Sequence, residues 1–128
     1  MGSIMFVQYK REQNFHSRQL DRQLEKYNLL INNYINQKGY TWDKLDDFVA
    51  LFPDSGLRVT VIDTLGNVHF DSSVVEDFKL ENHKNRPEFL QAREDGHGKA
   101  IRQSATTGVD YYYYAKKFST IYVRSALP

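Results

Sequence analysis

The chain has 128 residues, the length of one ordinary domain, and its 41% hydrophobic and 26% charged content supports a packed core rather than wholesale disorder. The net charge is +1, from 17 basic and 16 acidic residues, so the large basic excess of a nucleic-acid binder is missing. There is no cysteine, which excludes a thiol nucleophile, a disulfide framework and a thiolate-ligated zinc.

The first residues carry a short apolar run, Ile4-Met5-Phe6-Val7, followed at once by Gln8-Tyr9-Lys10-Arg11-Glu12. One reading is the tail of a transmembrane helix with an interfacial tyrosine and flanking charges, Met1-Gly2-Ser3 being a cloning scar. The other is a frayed terminus with a few exposed apolar residues. Residues 1–7 are set apart from a single domain over 8–128 on the first reading. No run of about 18 apolar residues follows, so nothing in the sequence itself spans a bilayer as a helix.

Residues 8–38 contain neither glycine nor proline, and Gly39 closes the run as a left-handed cap. Leu20, Leu24, Tyr27, Ile31 and Tyr34 fall at steps of four, three, four and three, a heptad-like stripe on a long helix. Leu30 and Ile35 broaden it, so this face is expected to pack on a sheet as well as on a second copy. Two such helices would pair in parallel, which makes the chain a homodimer by expectation. A short helix follows over 42–52 with Thr41 as its N-cap, and Pro53-Asp54-Ser55-Gly56 makes a turn.

Beyond Gly56 the texture changes. Residues 57–63 alternate and are β-branched, a strand; residues 64–67 turn; residues 68–71 return as the second strand. Residues 72–84 are irregular, with a helical turn expected over 74–78. Asn85 is expected to cap a helix, with Glu88 as its reciprocal partner and Pro87 in the first turn. That helix stops at Gly96. Strands follow over 99–104, 109–118 and 121–127. The fold class is therefore α+β, a five-stranded antiparallel sheet in the PAS-like order, behind a long N-terminal helix.

Several segments of this sheet region resemble a known family. Residues 58–63, Gly66, Val68 and Asp71-Ser72 resemble the first hairpin of Cache-type sensor domains. Glu81-Asn82-His83-Lys84-Asn85-Arg86-Pro87-Glu88 is similar to the ENHxxRPE segment of PhoR-type sensor kinases. Gly98 to Arg102, Ser104, Thr107 and Gly108-Val109-Asp110 resemble that family's next stretch, and Tyr113-Ala115 with Val123 to Pro128 its last two strands. The match runs in order over 57–128. It implies the extracytoplasmic, PAS-like sensor domain of a membrane-bound histidine kinase. It implies membrane helices on both sides, a kinase core elsewhere in the parent protein, and a cognate response regulator. The alternative from another class is a structural dimerisation module that binds no ligand. The chain carries no phosphoacceptor box and no glycine-rich nucleotide lid, so no catalysis, cofactor or ATP binding is expected of it.

In PAS-like folds ligands meet the middle of the sheet and the loop that crosses it. The residues placed there are Arg102, Tyr112 and Tyr114, with Arg86 and Lys99 in reach. They suit a small polar or anionic ligand. Tyr111 and Tyr113 point to the opposite side of their strand, because neighbours alternate, and which pair faces the pocket stays open. Arg86 and Arg102 could instead tie down Asp63, Asp71 or Asp110. His69, His83 and His97 show no short ligand spacing, so no metal site is expected: His83 should pack in its loop and the other two should lie exposed. Ser104 and Asp110 can be drawn into a triad with a histidine, but no strained serine turn supports it.

Overall fold

The computed structural model describes residues 2–73, 82–103 and 108–128, with side chains from residue 18 onward. The order of elements is α1 (Gly2–Ile35), α2 (Trp42–Ala50), β1 (Arg58–Asp63), β2 (Val68–Asp71), α3 (Pro87–Asp95), β3 (His97–Gln103), β4 (Asp110–Lys117) and β5 (Ile121–Leu127). The five strands form one antiparallel sheet in the order β2-β1-β5-β4-β3. The last strand is thus central, flanked by the first and the fourth. Among the described residues no helix is long and apolar enough to cross a membrane.

Local chemistry accounts for most boundaries. Thr41 caps α2 by accepting from the Lys44 amide. Asp63 accepts from the amides of Leu65 and Asn67 and so closes the β1–β2 turn. Gly96 ends α3 in the left-handed conformation, φ 89°, with its amide on the Ala92 carbonyl. Two expectations need correction. The first helix ends at Ile35 rather than Lys38, and Gly39 takes its positive φ in the turn that follows. The N-cap of α3 is Arg86, not Asn85, and its side chain, which has no acceptor, makes no cap bond; Glu88, the expected reciprocal partner, is engaged with Arg102 instead. The helical turn expected over 74–78 lies outside the described residues, as does Ser104.

Strand alternation divides the core in two. On one face Val59 and Val61 of β1, Val123 of β5 and Tyr114 of β4 meet Leu24, Tyr27 and Ile31 of α1, with Leu45 and Val49 of α2 alongside. Leu24 and Ile31 are fully buried there. On the other face Ile62, Tyr122 and Ala115 meet Phe89 and Ala92 of α3. Gly98 lets α3 lie directly on β3: a Cβ at this position would sit 1.9 Å from the Glu88 carbonyl oxygen.

Leu24, Tyr27 and Ile31 of the stripe are therefore core within one chain, which corrects the expectation that these three form a dimer seam; Leu20 and Tyr34 are half-buried beside them. Leu24 packs with Leu127 and Tyr114, Ile31 with Val59, Val61 and Val123, and Tyr34 stacks on Phe48 of α2. The outward positions Leu29 and Leu30 remain exposed.

Candidate functional site

The middle of the sheet on the α3 side carries an arginine–tyrosine cluster. Three guanidinium groups lie over two rings: Arg58 of β1 is 4.2 Å from the Tyr111 centroid, and Arg102 of β3 and Arg124 of β5 are 4.1 and 4.7 Å from that of Tyr113. Residues 58, 111, 113, 124 and 126 share this face because each strand alternates and the registers align Arg58 with Ala126 and Tyr113 with Ala126. The small side chain of Ala126 leaves room for the rings and guanidinium groups above it.

Glu88, in the first turn of α3, projects into the cluster and is fully buried. Arg102 grips it through two bonds, 2.7 and 2.6 Å, and Arg124 reaches it at 3.3 Å. Arg124 also donates to the Thr60 hydroxyl at 2.8 Å, and Thr60 donates to Asp71. Burial pushes the Glu88 carboxyl up, but the Arg102 bonds and the two guanidinium charges outweigh it and hold the acid below its ordinary value. For Arg124 the balance tips the other way. Burial pushes its guanidinium down, and the charges of Glu88 and Asp71 restore only part. A planar fork on an aromatic bed is the geometry that recognises carboxylate or phosphate groups, and here Glu88 occupies it from within the chain.

The expected site residues divide between the two faces. Arg102 belongs to the cluster. Tyr112 and Tyr114 face α1 instead, where the Tyr112 hydroxyl donates to Asp21 and Tyr114 faces Glu25. Burial first, then those carboxylates, pushes both phenols up. Lys99 joins the same side through Asp21 at 2.6 Å. These three dock α1 to the sheet, on the face opposite the arginine–tyrosine cluster. Arg86 is half-buried at the start of α3, while Asp63 and Asp71, its expected partners, accept from other donors. Arg102 is tied internally to Glu88, not to Asp63, Asp71 or Asp110.

Sequence reasoning missed Glu88, Arg124, Arg58 and Thr60. Parity was the available signal: Arg124 alternates with Val123 and Ser125, which places it beside Tyr113 once β5 neighbours β4. His69, His83 and His97 take packing roles. His83 is buried, edge-on to Phe89; His69 pairs with Asp63 at 2.9 Å and stacks on Trp42; His97 stacks on Tyr114. Among the described residues no three histidines or acids group as metal ligands. The chain matches no protein-family model and no curated protein.

Proposed function

We propose that this chain is a PAS-like, Cache-type sensing domain on the extracytoplasmic side of a membrane-bound histidine kinase. The observation that carries the reading is the docking of α1 along β5. Ser125 donates to the Leu24 carbonyl at 3.2 Å, Leu24 packs with Leu127, and Ile31 packs with Val123. Helix and strand therefore run antiparallel, and the N-terminal end of α1 lies at the same pole as the C-terminal end of β5. A change in the sheet reaches both connections at once, which is what a relay between two membrane helices requires. The arginine–tyrosine cluster supplies a sensing face for a small anionic solute. Ligand binding would bias one of two α1–sheet arrangements by its differential affinity for them.

In this reading the parent protein is a homodimer that pairs through the outward side of α1, where Leu29 and Leu30 lie, and phosphorylates a response regulator through its kinase core. A second reading, a structural relay that binds nothing, draws on one observation: Arg102 and Arg124 are already engaged by Glu88.

The cysteine-free sequence offers a direct test of location. A Lys38→Cys variant of the full-length protein is treated with a membrane-impermeant maleimide. Labelling in intact cells, above the background of the unsubstituted protein, is the expected result. Labelling only after lysis would overturn the extracytoplasmic assignment.

A further inference from the structure

We infer that the cleft between the end of α2 and the start of β1 is a binding site for a small alkylammonium ion. The cleft has a volume of about 420 Å³, within the range of small-molecule sites. None of the residues of the arginine–tyrosine cluster lines it, although Leu57 in its wall precedes Arg58, and its charged lining is acidic rather than basic. Asp46 and Asp54 stand in its wall with Ser72, and Val49, Phe52 and Leu57 give it an apolar side continuous with the core. Among the described residues that line it there is no lysine or arginine. The C-terminal end of α2 adds the negative end of a helix dipole.

This combination selects the ligand. An anion meets two carboxylates and a helix C-terminus, all repulsive. A calcium or magnesium ion needs about six or more oxygen ligands and gains nothing from an apolar wall. A neutral alcohol offers the carboxylates a single O–H donor and leaves their charge uncompensated. A short alkyl chain ending in an ammonium group fits both halves: three N–H donors for the carboxylates, and carbons for Val49, Phe52 and Leu57. Asp54 has acceptor capacity for it. Its two donors from α1, Gln23 at 2.6 Å and Tyr27, both reach Oδ2.

The position of the cleft gives occupancy a consequence. Asp54 ties the loop to α1 through Tyr27 and Gln23, and the ring of Tyr27 stacks on Phe52 at 4.8 Å. Gly56, also in the wall, lies against Pro128 at the end of β5: a Cβ there would be 3.3 Å from the proline ring. An ammonium ion at Asp54 therefore lies in the loop that contacts α1 on one side and Pro128 on the other. The binding claim itself does not depend on the sensor reading.

The test is a titration of the purified chain with n-butylammonium chloride, read by ligand-observed NMR, with sodium chloride and butan-1-ol as matched controls. Saturable binding with a dissociation constant on the order of millimolar is expected for butylammonium alone. Asp46→Asn is expected to weaken it about fivefold, the effect of losing one partly exposed charge pair. Ala50→Trp, which fills the cleft from the last turn of α2, is expected to abolish it. Affinities are compared well below each variant's melting temperature. Absence of saturable binding by the unsubstituted chain, an equal response to sodium chloride or butanol, or undiminished binding by Ala50→Trp would each overturn the inference.

Discussion

Arg102 and Glu88 meet as a two-point ion pair, Nη1 to Oε1 at 2.7 Å and Nη2 to Oε2 at 2.6 Å, with the carboxylate fully buried and the guanidinium side chain 25% exposed. Removing the acid leaves Arg102 and the nearly buried Arg124 facing each other, with only Asp71, reached through Thr60, as a remaining counter-charge. Glu88→Ala is therefore expected to cost about 3–5 kcal/mol, a drop in melting temperature of roughly 10 °C or more. Arg102→Ala is expected to cost less, about 1–3 kcal/mol, because Arg124 still reaches the carboxylate and water enters from the exposed side. Thermal denaturation followed by circular dichroism decides the point. An unchanged melting temperature for Arg102→Ala would mean that the pair contributes nothing to the fold and that Arg102 serves a ligand alone.

The same pair sets an acid limit. Glu88 is held below its ordinary value of 4.5 in the folded chain. Its stabilising contribution is thus fully present above that value and is lost as pH falls through the lower folded one. The difference in stability between the unsubstituted chain and Glu88→Gln is expected to be constant from pH 7 to about 5 and to shrink below the ordinary glutamate range. Urea denaturation at a series of pH values measures it. A gap that widens on acidification would contradict the assignment of Glu88 as ionised.

Gly98 is where helix and sheet come closest. A methyl group there would meet the Glu88 carbonyl oxygen at 1.9 Å and the Ala92 amide nitrogen at 2.8 Å, both backbone atoms of α3 that cannot rotate away. Gly98→Ala is expected to lower stability by about 1–3 kcal/mol by forcing α3 off β3. It should also disturb the Arg102–Glu88 geometry, visible as a changed Glu88 side-chain resonance. A neutral substitution would show that α3 sits further from the sheet.

The α1 stripe gives a sharp contrast within one helix. Leu24 and Ile31 are fully buried against the sheet, whereas Leu29 is 44% exposed. Leu24→Ala is expected to cost about 2–5 kcal/mol, and Leu24→Asp with Ile31→Asp to unfold the chain. Leu29→Asp should leave the melting temperature nearly unchanged. A folded monomeric Leu24→Asp/Ile31→Asp protein would restore the stripe as a dimer seam.

Much of the architecture was legible because its signals are local. Thr41 before α2, Pro87 at the start of α3, Gly96 after it, and the β-branched run Arg58 to Asp63 each fix a boundary through a nearby backbone or side-chain bond. The site was less legible because its bonds are long-range. Glu88 reads as a capping residue from its place beside Pro87, yet its partners lie 14 and 36 positions on. The two faces of β4 carry the same residue type, so the run Tyr111 to Tyr114 cannot say which pair meets α1. That choice is settled by Asp21 and Glu25, one helical turn apart on α1, which match Tyr112 and Tyr114, two residues apart on the strand. The stripe on α1 has the spacing of a coiled coil, and only the sheet it meets distinguishes core from seam.

The most direct test of the sensing claim is the melting temperature of the purified chain against succinate, citrate, phosphate and acetate at constant ionic strength. At least one of these anions is predicted to raise it saturably, by roughly 5–10 °C at a hundredfold excess over its dissociation constant. Arg102→Lys, which keeps the charge but loses the two-point fork, is predicted to lose that rise relative to its own baseline. No shift with any anion, or a shift undiminished in Arg102→Lys, would contradict the claim that this face senses an anionic solute.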